Sequence, residues 1–153
     1  MSKKYALYAR VSTEEQNTEQ QIDRLVAHAE RMGWEYEIIT EKETTRKTRP
    51  KKYELMQRLR AGEFYGVCIW KLDRWARSSQ ELVYEITELH DKNIDFVSLS
   101  DGIDLSSSTG RLQFQILSAF AEFERNLISE RTKEGLRRAV KNGKKLGRPR
   151  KHE

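Results

Sequence analysis

Apolar residues recur along this chain with two different periods, and the switches between those periods lay out its elements. In residues 4–11, Tyr5, Leu7, Ala9 and Val11 fall on one side and Ala6 and Tyr8 on the other, the period of a strand. From Thr13 onward, Ile22, Leu25, Val26, Ala29 and Met32 recur at helical spacing, and Gly33 ends the pattern as a C-cap glycine does. Residues 36–40 read as a short second strand. Residues 41–50, EKETTRKTRP, have no apolar period and read as a loop. Pro50 suits the first turn of a helix, to which Tyr53, Leu55, Met56 and Leu59 give a modest apolar face, closed by Ala61-Gly62. Residues 64–72 are nearly continuous in apolar side chains, as expected of a strand covered on both faces. A third helix over 79–92 carries Leu82, Val83, Ile86 and Leu89 at helical spacing, and a strand over 96–99 ends in a turn at Asp101-Gly102.

The alternation predicts an α/β fold with a mostly parallel central sheet and flanking helices. Sites in such sheets lie at the carboxyl ends of strands. Ser12 follows the first strand, the polar loop follows the second, and Lys71-Leu72-Asp73-Arg74-Trp75-Ala76-Arg77-Ser78 follows the third. Three polar clusters are therefore expected on one edge. Ser12 also stands where a strand hands over to a helix, with Arg10 two residues before it, and such a place favours anions. Taken alone, the serine reads first as a cap: Ser12 with Glu15, or Thr13 with Gln16, has capping-box spacing.

The last helix is unusual. Ser106-Ser107-Ser108-Thr109 offers several caps, and no proline interrupts the chain from there to Pro149. A helix over 109–142 would be ~50 Å long at 1.5 Å per residue, longer than one domain of this size needs. One stripe on it is Leu112, Ile116, Ala119, Phe120, Phe123 and Leu127; a second is Phe114, Leu117, Ala121 and Ile128. Two apolar faces need two partners, the home domain and, most simply, the same helix of a second subunit.

Composition sharpens this picture at two places. Of the 153 residues, 37% are hydrophobic and 35% charged, enough for one lean core and one ordinary domain. No apolar run approaches the ~20 residues of a membrane span, and the N-terminus has no secretory h-region. The single cysteine, Cys68, lies in the apolar run Val67-Cys68-Ile69-Trp70, where an inert buried thiol is expected. The net charge of +5 is unevenly placed. Residues 131–151 hold ten Lys/Arg against the single acid Glu134, leaving 19 basic and 22 acidic side chains in residues 1–130. That arm, with Arg131, Lys133, Arg137, Arg138, Lys141, Lys144, Lys145, Arg148 and Arg150, reads as a nucleic-acid-binding segment. Gly147-Arg148-Pro149-Arg150-Lys151 resembles a segment that tracks a minor groove.

Several motifs in order now coincide: Tyr8-Ala9-Arg10-Val11-Ser12-Thr13, Lys71-Leu72-Asp73-Arg74 with Arg77, Thr109-Gly110-Arg111-Leu112, Ala121-Glu122-Phe123-Glu124-Arg125 and Glu130-Arg131-Thr132-Lys133-Glu134-Gly135. With them the chain resembles the catalytic domain of a serine recombinase of the resolvase/invertase family. The resemblance implies a resolvase-like fold and site-specific cleavage and rejoining of double-stranded DNA through a covalent 5′-phosphoserine. It makes Ser12 the nucleophile. Arg10, Arg74 and Arg77 match the family's active-site arginines, Arg125 and Arg131 match basic positions of its long helix, and Arg49, with Arg46 beside it, matches a loop arginine. Gln16 and Gln21 match polar positions flanking the nucleophile, and Asp73 could hold Arg74 or Arg10. Negative charge that builds on a phosphate under attack is best met by fixed cationic forks. His28, His90 and His152 lie outside every motif, so no group is named to take the proton of Ser12.

The resemblance further implies a homodimer through Ile116, Phe120, Phe123 and Leu127, a tetramer on synapsis, no metal or other cofactor, and a cytoplasmic, nucleoid-associated setting. It divides the chain into a catalytic core (1–105), a long helix serving first the dimer and then DNA (106–142) and a basic tail (143–153). The helix-turn-helix domain usual in the family is expected to be absent. Glu41 stands where the family commonly has Asp, and Leu127 where some members carry a basic residue. Two alternatives stay open at this level: a non-catalytic basic DNA-binding and dimerisation module on the same fold, and a phosphoserine-forming phosphoesterase. Only a catalyst needs the full Ser12, Arg10, Arg74 and Arg77 set, and a small-ester hydrolase leaves residues 131–151 without a purpose.

Overall fold

A computed structural model of the protein describes residues 3–11, 15–42 and 48–148, with the side chains of 15–17 outside the description. Ser12 and its capping geometry, Arg46, Arg150 and the side chain of Gln16 therefore lie outside the described residues. The order of elements is β1 (Lys4–Val11), α1 (Glu15–Met32), β2 (Glu35–Lys42), α2 (Pro50–Arg60), β3 (Gly66–Ile69), a 3-10 turn (Leu72–Arg74), α3 (Ser79–Asp91), β4 (Asp95–Ser98), β5 (Ile103–Asp104) and α4 (Ser108–Lys141). The sheet runs β2-β1-β3-β4-β5. Its first four strands are parallel, and β5 pairs antiparallel with β4.

The strand period of β1 sorts its side chains as the sequence predicts. Tyr5, Leu7 and Ala9 join Leu25 and Ala29 of α1 on one face of the sheet, with Cys68 and Val97. Ala6 and Tyr8 join the other face, where Leu55 and Leu59 of α2, Ile86 and Leu89 of α3, and Trp75 complete the larger core. Cys68 is fully buried, and burial pushes its thiol up to about 12. It is inert, as expected.

Two strand ends and one additional strand differ from the sequence reading. Strand β2 continues through Glu41 and Lys42, which the missing apolar period had placed in the loop; their backbones pair with Arg10 and Val11, and pairing needs no particular side chain. Strand β3 stops at Ile69, because Leu72 belongs to the 3-10 turn. The two-residue strand β5 is too short to carry a period and was not foreseen.

Helix α4 is 34 residues long. Ser107 caps it by accepting from the Gly110 N–H at 3.0 Å. Phe114 and Leu117 pack on the larger core and Ala121 is buried, so the second stripe faces home. Ile128 departs from that stripe: it is 58% exposed, because the helix has by then left the body. Among the described residues beyond Glu124 only Leu127 and Ala139 are even partly covered, a projection of ~25 Å. Among the described residues no helix is long and apolar enough to cross a membrane.

The root of α4 tolerates no side chain at Gly110. A Cβ there would stand 1.9 Å from the Asp104 carbonyl oxygen of β5 and 2.5 Å from its carbon, and backbone gives way poorly. Gly110→Ala is expected to cost about 1–3 kcal/mol, read as a lowered midpoint in urea denaturation.

Candidate active site

Cations converge at the carboxyl end of β1. Arg10 lies near the end of that strand, where it pairs with Glu41 of β2. Arg49 immediately precedes α2, and Arg77 follows the 3-10 turn. Burial, then the nearby charge of Arg10 and also that of Arg77, disfavours the charge on Arg49, so these three guanidiniums share one field. Arg49 donates through Nη1 to the Trp75 carbonyl. Its Nε and Nη2 are buried and have no partner among the described residues. Those two atoms form one edge of the guanidinium, the edge that takes a phosphate or carboxylate in bidentate fashion.

A neighbouring cleft of about 250 Å³ is lined by Gln20, Gln21, Arg24, Trp70, Lys71 and Arg74. Gln21 is buried there, with its Oε1 unpartnered among the described residues, and Arg24 lies 4.7 Å above the Trp70 ring. The sequence reading named Gln21 and Arg74 but missed Arg24 and Lys71. Asp73 is exposed. Arg125 stands apart from both groups, on the groove between α3 and α4 with Ser118, Ala121 and Glu122.

Backbone bonds hold the segment that carries Arg74 and Arg77. At its start the Leu72 N–H donates to Asp101 Oδ2 at 2.9 Å, and Ser98 Oγ donates to the same oxygen at 2.6 Å. In its middle the Trp75 carbonyl accepts from Arg49 and from Lys52 Nζ, the latter at 2.7 Å. At its end the Arg77 N–H donates to Glu81 Oε2 at 3.3 Å, while the Glu81 N–H donates to Ser78 Oγ at 3.2 Å. That is a capping box whose glutamate reaches one residue further back than usual. The Trp75 ring is fully buried, edge-on to Tyr8 and Phe96.

Glu41 ties the loop arginine to the sheet. It is buried at the end of β2, and its carboxylate accepts from the Lys52 N–H at 2.7 Å, the Lys51 N–H at 3.3 Å and the Tyr8 hydroxyl at 3.4 Å. The first residues of α2 thus find a cap on the preceding strand, since Arg49 itself offers no side-chain cap. Burial, then the Glu41 carboxylate, holds the Tyr8 hydroxyl well above its ordinary range.

The fold and these clusters define a class, an α/β serine recombinase with its cations gathered at the strand ends, and comparison with known proteins agrees. The family described as Resolvase, N terminal domain, matches residues 5–145. The chain is 42% identical over 144 residues to a transposon Tn917 resolvase of Enterococcus faecalis, covering 93% of this chain and 74% of that protein. It is 42% identical over 142 residues to the serine recombinase gin of Escherichia phage Mu, covering 93% and 70%. Among solved structures, the N-terminal catalytic domain of TP901-1 integrase superposes with a TM-score of 0.72 at 40% identity, covering 82% of this chain and 98% of that one. A resolvase family site-specific recombinase from Streptococcus pneumoniae gives a TM-score of 0.75 at 28% identity, covering 92% and 99%. The chain belongs to the resolvase N-terminal domain family and is a serine recombinase catalytic domain.

Glu41→Ala removes the acceptor of two helix N–H groups and a buried hydroxyl. It is expected to destabilise the fold by about 1–3 kcal/mol, measured by urea denaturation, with Glu41→Gln falling in between because its amide oxygen still accepts.

Proposed function

We propose that this chain cleaves and rejoins double-stranded DNA through Ser12. The observation that carries the reading is the buried edge of Arg49, unpartnered among the described residues and held in one field with Arg10 and Arg77. Such an arrangement suits an anion, whose charge it would meet with fixed donors. The Ser12 hydroxyl loses its proton and its oxygen bonds to phosphorus. The bond from phosphorus to the DNA 3′ oxygen breaks, and that oxygen leaves with a proton. The product is a 5′-phosphoserine, whose phosphoester conserves the energy of the broken bond, so attack by a 3′ hydroxyl rejoins the strand and frees Ser12. Arg10, Arg49 and Arg77 stabilise the charge on the nonbridging oxygens. Arg74, Gln21 and Gln16 orient the phosphate, and Asp73 and Arg125 complete the set.

The partner assignments rest on α4. Leu112, Ile116, Phe120 and Phe123 are each more than half exposed and Leu127 is partly covered. A contiguous apolar stripe of this kind marks a protein interface, and a second copy of the same helix covers it with two-fold symmetry. Two such dimers form the tetramer in which strands are exchanged. The exposed cations Arg131, Lys133, Arg137, Arg138, Lys141, Lys144, Lys145 and Arg148 engage DNA phosphates, with strong salt dependence and little sequence preference.

The chemical test is a denaturing quench after incubation with a pool of duplexes of randomised sequence. Wild-type protein is expected to retain covalently bound 5′-linked DNA and Ser12→Ala none; an adduct of equal yield in Ser12→Ala overturns the nucleophile. The assembly test is sedimentation. Phe120→Asp and Phe123→Asp are expected to shift the protein from dimer to monomer with little change in urea midpoint, and unchanged sedimentation of both contradicts the interface.

A further inference from the structure

Lys52 is a buried lysine with every proton engaged. It lies on the inward row of α2 with Leu55, Met56 and Leu59, all four buried. Its Nζ donates to the Trp75 carbonyl at 2.7 Å, to Glu85 Oε1 at 3.0 Å and to Glu81 Oε1 at 3.2 Å, the full complement of an ammonium. The same nitrogen lies 4.7 Å from the centre of the Trp75 ring. One side chain thus joins α2, the segment between Arg74 and Arg77, and α3.

Stability alone does not call for this lysine. Burying an ammonium against a carboxylate costs desolvation that an apolar side chain of similar volume avoids. What the lysine adds is a directional bond to one backbone carbonyl. Trp75 follows Arg74 directly and precedes Arg77 by two residues, so holding its carbonyl holds the stretch of backbone that carries both arginines. Arg49 grips the same oxygen through Nη1. An arginine that turns toward a phosphate weakens its hold on a carbonyl; Lys52, anchored from behind by two glutamates, does not turn.

We propose that Lys52 is a positioning residue for strand cleavage: it holds the Trp75 carbonyl, and with it Arg74 and Arg77, while Arg49 engages the phosphate. This rests on the assignment of those arginines to the DNA phosphate. Lys52 touches no substrate, so its removal slows the chemical step and leaves DNA affinity alone.

The test pairs Lys52→Met with Glu85→Gln, so that no unpaired carboxylate is left at Glu85, and uses Glu85→Gln alone as control. Single-turnover cleavage at saturating DNA is expected to fall about tenfold to a hundredfold in the pair and to stay near wild type in the control. The dissociation constant for DNA and the urea midpoint stay unchanged in both. A second route, Lys52→Leu with Glu85→Leu, replaces the ion pair by apolar packing, an exchange that commonly keeps stability, and serves if the first pair fails to fold. Wild-type cleavage in a folded variant overturns the proposal, as does a loss of DNA binding that accounts for the whole loss of rate. Absence of a Ser12-dependent adduct in the wild-type protein instead overturns the recombinase chemistry on which the proposal stands.

Discussion

The charges of Arg10 and Arg77 both oppose that of Arg49, and the fold holds the three within reach of one another. That constraint explains much of what surrounds them. Parallel pairing of β1 with β2 carries Arg10 and Glu41 to the same level of the sheet. Glu41 then accepts from the first turn of α2 and so fixes the helix that Arg49 precedes. The segment bearing Arg77 is tied by its backbone to Asp101, Arg49, Lys52 and Glu81. None of these ties uses the guanidinium of Arg77. The segment that bears Arg77 is thus held by its main chain, and Arg49 keeps its Nε and Nη2 edge without a partner among the described residues. Cationic groups fixed by the fold where negative charge develops are the usual form of electrostatic preorganisation.

The carboxylates near this site serve the same end. Glu41, Glu81, Glu85 and Asp101 accept from backbone N–H groups or from Lys52. Burial pushes the Glu85 carboxyl up despite the pull of Lys52. The acids therefore stabilise the scaffold without lying across the Nε and Nη2 edge of Arg49, which has no partner among the described residues.

Much of this was legible in the sequence, and the missing parts share one cause. Strand and helix periods gave the parallel order, the two faces of β1 and the long last helix. The motif arginines could be placed because their segments follow strands. Lys52, Asp101 and the capping role of Glu41 were not found, because each acts through a backbone N–H or carbonyl of a distant segment, and such a bond leaves no mark on side-chain pattern. Lys52 did leave a trace: it shares a helical row with Leu55, Met56 and Leu59, and a lysine on an apolar row is worth asking about. Read within Pro50-Lys51-Lys52 it passes for a surface cation. Strand β5 was missed because two residues carry no period, and Ile128 was placed inward because periodicity says which way a residue faces and not where the domain ends.

That last point bears on how α4 divides its work. Phe114 and Leu117 face the core, while Ile116 and Phe120, on the other side of the same turns, face solvent. The helix is rooted by Gly110, where the backbone of β5 leaves no room for a side chain, and tied again where Ser79 Oγ donates to Glu124 at 2.7 Å. Past that point cations outnumber acids and the apolar residues are scattered. Because root, stripe and arm are one continuous helix, a second copy docked on the stripe sets the position of both arms at once. In the dimer proposed above, two-fold symmetry would make the arms a related pair, and the spacing between the DNA segments they could grip would follow from the packing of Phe120 and Phe123 rather than from the arms themselves.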